Sequence, residues 1–171
     1  MGRCVLLFSG YGGGEKRLKG LDEALAGYGP LSRLEAGAGT LRAREAYAAA
    51  VRSGGRAQVV GVGAGCVQAL MLAQAFSVQA LVCALPGADG RRGDMRCRLI
   101  AMGNLFAVVA PTLVLEQPPG RLGRRILDCV GARDKRLLTY NGERDAVKTI
   151  LEHLCRTDAT QSLAKEHIFG V

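Results

Sequence analysis

In Gln58-Val-Val-Gly-Val-Gly-Ala-Gly-Cys-Val-Gln-Ala-Leu70 a β-rich apolar run passes through alternate glycines into a mostly apolar helical run. Continuous apolar character with β-branched residues is the pattern of a strand buried on both faces. Glycine density at a strand-to-helix junction allows positive φ and close approach of another backbone or a ligand, and the following helix N-terminus offers free N–H groups. The stretch therefore predicts a strand over 58–62, a tight turn over 61–65 and a helix over 66–76, with Gly61 and Gly65 open to a second role in packing helix against strand.

The same alternation extends in both directions. Toward the N-terminus, Arg3-Cys-Val-Leu-Leu-Phe8 reads as a second buried strand that stops in Ser9-Gly-Tyr-Gly-Gly-Gly14. Glu15 to Ala26 places Leu18, Leu21 and Leu25 at helical spacing, Leu31 to Ala36 is a weaker strand, and Leu41 to Arg52 is a helix stopped by Gly54-Gly55. Toward the C-terminus come a strand over 79–85, an exposed loop over 90–95, and a strand over 112–116. A helix over 122–130, a strand over 136–140 and a strongly amphipathic helix over 145–156 follow, with a short helix or ordered tail to the end. Strands alternating with helices imply a three-layer α/β sandwich around a mostly parallel sheet of about six strands. The expected organisation is one domain over 1–171. Its two glycine junctions, after the first and third strands, should lie side by side at the carboxyl edge, where such sheets bind ligands.

Composition narrows the function classes. Hydrophobic residues at 49% and charged residues at 22% are those of a folded globular chain. The formal charge of +8 favours acidic partners, but only 5% of residues are aromatic and none is Trp, which argues against nucleic acid held by base stacking as a partner. Basic residues gather at Arg91, Arg92, Arg96 and Arg98, and again at Arg121, Arg124, Arg125, Arg133, Lys135 and Arg136, either as solvated faces or as a surface for an acidic protein. The six cysteines form no Cys-x-x-Cys pair, and no His stands at zinc-ligand spacing from any two of them, so neither a metal nor another cofactor is expected. Cysteines inside apolar runs point to reduced thiols and a cytoplasmic location. Ala57 to Ala88 carries no charge, yet its glycines, glutamines and β-rich ends divide it into strand, helix and strand rather than one membrane span.

With these motifs in order, the sequence resembles the α/β-hydrolase superfamily, over roughly Val5 to Leu154 and without room for a lid domain. Gln58 to Leu70 is similar to that family's strand, nucleophile elbow and helix, whose motif is Gly-x-Ser-x-Gly. Phe8-Ser-Gly-Tyr-Gly-Gly13 resembles its oxyanion segment, Leu34-Glu-Ala-Gly-Ala-Gly39 its loop after the next strand, and Ala110-Pro-Thr-Leu-Val-Leu115 the strand before its acidic triad member. The resemblance implies a pocket formed by Ser9, Gly10, Tyr11, Gly63 and Ala64, with the N–H groups of Tyr11 and Ala64 as oxyanion donors.

The departures are as specific as the matches. Gly63 occupies the position of the nucleophilic Ser and has no side chain with which to form a covalent intermediate. Gln117-Pro-Pro-Gly120 follows the late strand and leaves only Glu116 near the acid's place. Tyr140-Asn-Gly-Glu-Arg-Asp145 stands where the His is expected. Replacement candidates are Cys66, whose place in the first turn of a helix would lower its thiol pKa, together with Ser9, Asp145 and His167. Packing is the favoured role for Cys66, loop hydrogen bonding for Ser9, and a surface or helix-packing role for His153. The expected function is a catalytically degenerate hydrolase-like protein that binds a small acyl, carboxylate or other anionic ligand, or an acidic partner. The alternative is a small esterase or acyl-transfer enzyme using Cys66 or Ser9 with His167 or Asp145. A nucleotide-binding domain is a third reading, weakened because no Asp or Glu ends the strand over 79–85 to hold a ribose.

Overall fold

The computed structural model describes residues 3–9, 18–35, 39–53, 55–86, 104–117 and 120–169, with side chains described as far as Ala159. Within these residues the order is β1 (Arg3–Ser9), α1 (Leu21–Tyr28), β2 (Leu31–Glu35), α2 (Gly39–Arg52), β3 (Arg56–Val62), α3 (Gly65–Ala75) and β4 (Ala80–Pro86). A short 3₁₀ turn (Leu105–Ala107), β5 (Thr112–Gln117), α4 (Arg121–Cys129), β6 (Lys135–Thr139) and α5 (Glu143–Phe169) complete it. The strands form one six-stranded sheet in the order β2-β1-β3-β4-β5-β6, and every adjacent pair is parallel. The chain reverses direction across the sheet between β2 and β3. The crevice beside that reversal lies at the carboxyl ends of β1 and β3, where Ser9 is in register with Val62.

Alternation of side chains along the strands divides the core into two layers. Leu6, Phe8, Val59, Cys83 and Val114 face α2, α3 and α4, with Leu70, Ile126 and Leu127 among the helical partners. Val5, Leu7, Val60, Val82, Leu113 and Leu115 face the other side, against Leu21 and Leu25 of α1 and Ala146, Ile150 and Leu154 of α5. The uncharged run from Ala57 is β3, α3 and β4 in succession. Among the described residues no helix is long and apolar enough to cross a membrane.

Two elements differ from the sequence expectation. Leu18 is buried as predicted, but in the turn before α1, because Gly20 at φ +89° opens the helix with a left-handed residue. The last helix continues from Glu143 to Phe169 instead of ending near Arg156. Nothing in 157–169 breaks a helix, although the apolar stripe that marked its first half stops at Leu154. The arginines over 91–98 and the loop over 90–95 lie outside the described residues.

Candidate functional site

Gly63 follows β3 directly and has φ +56°, in the left-handed region. Its N–H donates to the carbonyl of Ala84 at 2.9 Å, which ties the turn to the end of β4, and its own carbonyl accepts from the N–H of Cys66 at 3.1 Å, where α3 begins. A Cβ at Gly63 would meet nothing within 4 Å. Its neighbours are under the opposite constraint. A Cβ at Gly61 would come to 2.6 Å from the Cα of Cys66, and one at Gly65 would strike the backbone carbonyl of Phe8. Gly61 and Gly65 thus let α3 lie directly on β3 and β1, while Gly63 presents open space at the apex of a strand-to-helix turn in the left-handed conformation that glycine adopts freely.

Searches with the sequence gave neither a matching family model nor a matching curated protein. The fold has many solved counterparts. One is from the pair LipS and LipT, metagenome-derived lipolytic enzymes, at 15% identity, TM-score 0.69, over 92% of this chain and 94% of that one. A second is the monoacylglycerol lipase of Paleococcus ferrophilus, at 14% identity, TM-score 0.66, over 90% and 94%. A third is alpha/beta hydrolase domain-containing protein 10 from mouse, at 14% identity, TM-score 0.58, over 95% and 92%. The chain has the α/β-hydrolase fold.

On this α/β-hydrolase fold the described residues among those singled out from the sequence do not gather in one place. Ser9, Gly63 and Ala64 stand at the carboxyl edge, each half-buried. Gly10 and Tyr11 lie outside the described residues. His167 belongs to the distal part of α5, whose side chains are likewise outside the description. Ser9 lines a cavity of about 250 Å³ with Leu7, Leu18, Lys19, Leu21, Arg33 and Val62. Its apolar walls carry one hydroxyl, two cations and two carboxylates, because Asp22 and Glu23 line it as well, and Arg33 pairs with Asp22 at 2.8 Å. That volume suits a small anion or a short acyl group rather than a drug-sized ligand.

Cys66 departs from the expectation of a lowered pKa. It is fully buried, with Sγ 3.3 Å from the carbonyl oxygen of Gly61 and 3.4 Å from that of Ala84. Burial pushes its thiol pKa well above the usual value, with the neighbouring Cys83 adding to the rise. Desolvation of a thiolate outweighs the helix N-terminus here, so Cys66 is a packing residue. Among the described residues all cysteines are free.

The acid and base positions are also committed elsewhere. Glu116, at the end of β5, is 1% exposed, and its carboxylate accepts the N–H of Gly123 at 2.6 Å and that of Gly120 at 3.0 Å. It caps the start of α4, a role the sequence reading missed; a lone acid inside Thr112-Leu-Val-Leu-Glu116 before a helix was the available signal. Asp145, in the first turn of α5, accepts the N–H of Asn141 at 2.8 Å and so closes the loop after β6. His153 packs at the opposite end of the molecule, beside the start of β5. Its Nε2 is 3.4 Å from the carbonyl oxygen of Pro111, and Arg156 donates to its Nδ1 at 3.1 Å. Among the described residues no group of three or more His, Cys, Asp or Glu side chains is placed to hold a metal ion.

Proposed function

We propose that this chain is a catalytically degenerate protein of α/β-hydrolase fold that works by binding, and that the carboxyl edge beside Ser9 and Gly63 holds a small acyl, carboxylate or other anionic ligand. The observation that carries this reading is Gly63: the elbow geometry is kept, at φ +56° with free space at its apex, while the residue there has no nucleophile. Glu116 and Asp145, spent on backbone N–H groups, and the buried Cys66 thiol support it. The Ser9 cavity offers Lys19 and Arg33 to an anion, with Asp22 and Glu23 balancing their charge. Exposed Arg121, Arg124 and Arg125 on α4 offer a separate surface to an acidic protein, whereas Lys135 is occupied by the carbonyls of Leu127 and Val130.

A second reading, a hydrolase using Ser9, rests on the half-buried hydroxyl at the cavity wall and on the lipolytic enzymes among the structural relatives. Assay of acetate and butyrate nitrophenyl esters at neutral pH separates the two. Turnover at the buffer rate is expected. Robust hydrolysis that disappears in Ser9→Ala would sink the binding reading and establish the enzyme.

A further inference from the structure

Between the start of α1 and the exposed flank of α5 runs an open groove of about 580 Å³, lined by Lys19, Gly20, Arg144, Val147, Lys148, Leu151, Glu152 and Cys155. Two half-buried side chains one helical turn apart, Val147 and Leu151, make an apolar floor, and they also pack against the inner core layer. Lys19, Arg144 and Lys148 are exposed, with Arg144 and Lys148 on the part of the lining nearer the start of α5. The opposite end is closed by Glu152 and Cys155. Lys148 reaches Glu152 only at 3.8 Å, with both side chains well exposed, so that pair holds little of the lysine's charge. From Arg144 to Cys155 at the helical rise the groove extends about 16 Å, the length of an extended alkyl chain of about a dozen carbons, and the apolar floor from Val147 to Leu151 covers about 6 Å of it.

Arg144 and Lys148 toward the start of α5 and Lys19 on the α1 side, with the carboxylate of Glu152 further along α5, select a ligand that is itself asymmetric. We propose that this groove binds a monomeric aliphatic carboxylate, with its head at Lys19, Arg144 and Lys148 and its tail along Val147 and Leu151 toward Cys155. Glu152 fixes the direction, since an anionic head at its end would be repelled. The volume lies within the range of small-molecule sites. The groove shares Lys19 and Gly20 with the Ser9 cavity but takes the rest of its lining from α5, and its occupancy does not depend on whether the protein hydrolyses esters.

Cys155 supplies a positional readout. It is an exposed free thiol at the tail end of the groove, while the other exposed free thiol among the described residues, Cys129, lies on α4 across the sheet. The full-length chain is alkylated with iodoacetamide, with and without dodecanoate below its micelle concentration, and each cysteine peptide is followed by mass spectrometry. Alkylation of Cys155 should slow at least about fivefold at saturation with Cys129 unchanged, and Lys148→Gln with Arg144→Gln should weaken dodecanoate binding in calorimetry about tenfold or more. Arg125→Gln should leave it as it was. Dodecyltrimethylammonium should not protect Cys155. Equal protection of both cysteines, equal protection by the cation, or binding indifferent to the two substitutions would overturn the proposal. Protection by anionic phospholipid vesicles lacking free acid would replace it with a membrane-facing surface. The charge changes lie on exposed side chains, and circular dichroism of the variants separates lost binding from lost fold.

Discussion

Gly63 combines open space with a backbone conformation that L side chains adopt at a cost. A left-handed residue costs roughly 1–2 kcal/mol, so Gly63→Ser should fold and lose about that much in urea denaturation. Its hydroxyl would enter the space at the apex of the turn, but the acid and base positions would remain filled by Glu116, capping α4, and Asp145, closing its loop. Ester turnover of the variant should therefore stay within about tenfold of background; rapid hydrolysis would mean that another base reaches the turn. His153 makes the second prediction at this scale. Burial, with the charge of Arg156 adding to it, brings its pKa down to about 4 from 6.5. The depressed value means that the unfolded chain binds the proton first. The stability it supports is complete above pH 6.5 and is lost as the pH falls toward 4, on the order of 2–3 kcal/mol. His153→Gln should flatten the stability profile over that interval relative to the parent; parallel profiles would show that the ring titrates normally. The sequence left His153 between surface and packing roles because Glu152 beside it and Arg156 one turn on are charged, and only the tertiary fold shows which way each points.

The strand–turn–helix unit from β3 to α3 was legible because three of its levels agree: an apolar β-branched run, glycines where backbones touch, and a helix too apolar to be exposed. What the sequence left open was which glycines are there for packing and which for conformation. Gly61→Ala and Gly65→Ala should each destabilise by about 3 kcal/mol, because the added methyl group meets backbone that has nowhere to move. Gly27→Ala is the contrast. It sits inside α1 with nothing within 4 Å of the added group, and it should stabilise by about 0.5–1 kcal/mol. Thermal unfolding of the three variants checks the ordering, and a tolerated Gly65→Ala would mean that α3 stands further from β1 than described. The far half of α5 was read less well than its start, since a helix that runs past the sheet loses the periodic apolar face by which sequence reveals it.

Across the whole molecule, the amino edge of the sheet is held by one carboxylate. Asp158 of α5 accepts from Arg3 at the start of β1 (2.9 Å), the Tyr28 hydroxyl at the end of α1 (2.6 Å), Gln58 in β3 (3.2 Å) and Gln79 before β4 (2.6 Å). These partners lie 79 to 155 residues away in the chain, and no local pattern could have joined them. The legible part was the problem rather than its solution: Gln58 and Gln79 interrupt apolar runs, are buried, and need partners. Burial and Asp158 together push the Tyr28 pKa up to about 12, which keeps its phenol a donor. Removing the acceptor strands buried donors, whereas removing Arg3 frees a half-exposed pair that water screens. Asp158→Ala should therefore cost about 2–3 kcal/mol and Arg3→Ala about 1 kcal/mol or less. Because the carboxylate is shared by β1, α1, β3 and the approach to β4, its loss should also raise amide hydrogen exchange at the amino ends of those strands and the carboxyl end of α1 together. Exchange confined to α5, or equal losses from the two substitutions, would show that the elements are held independently, each by the apolar layer beneath it.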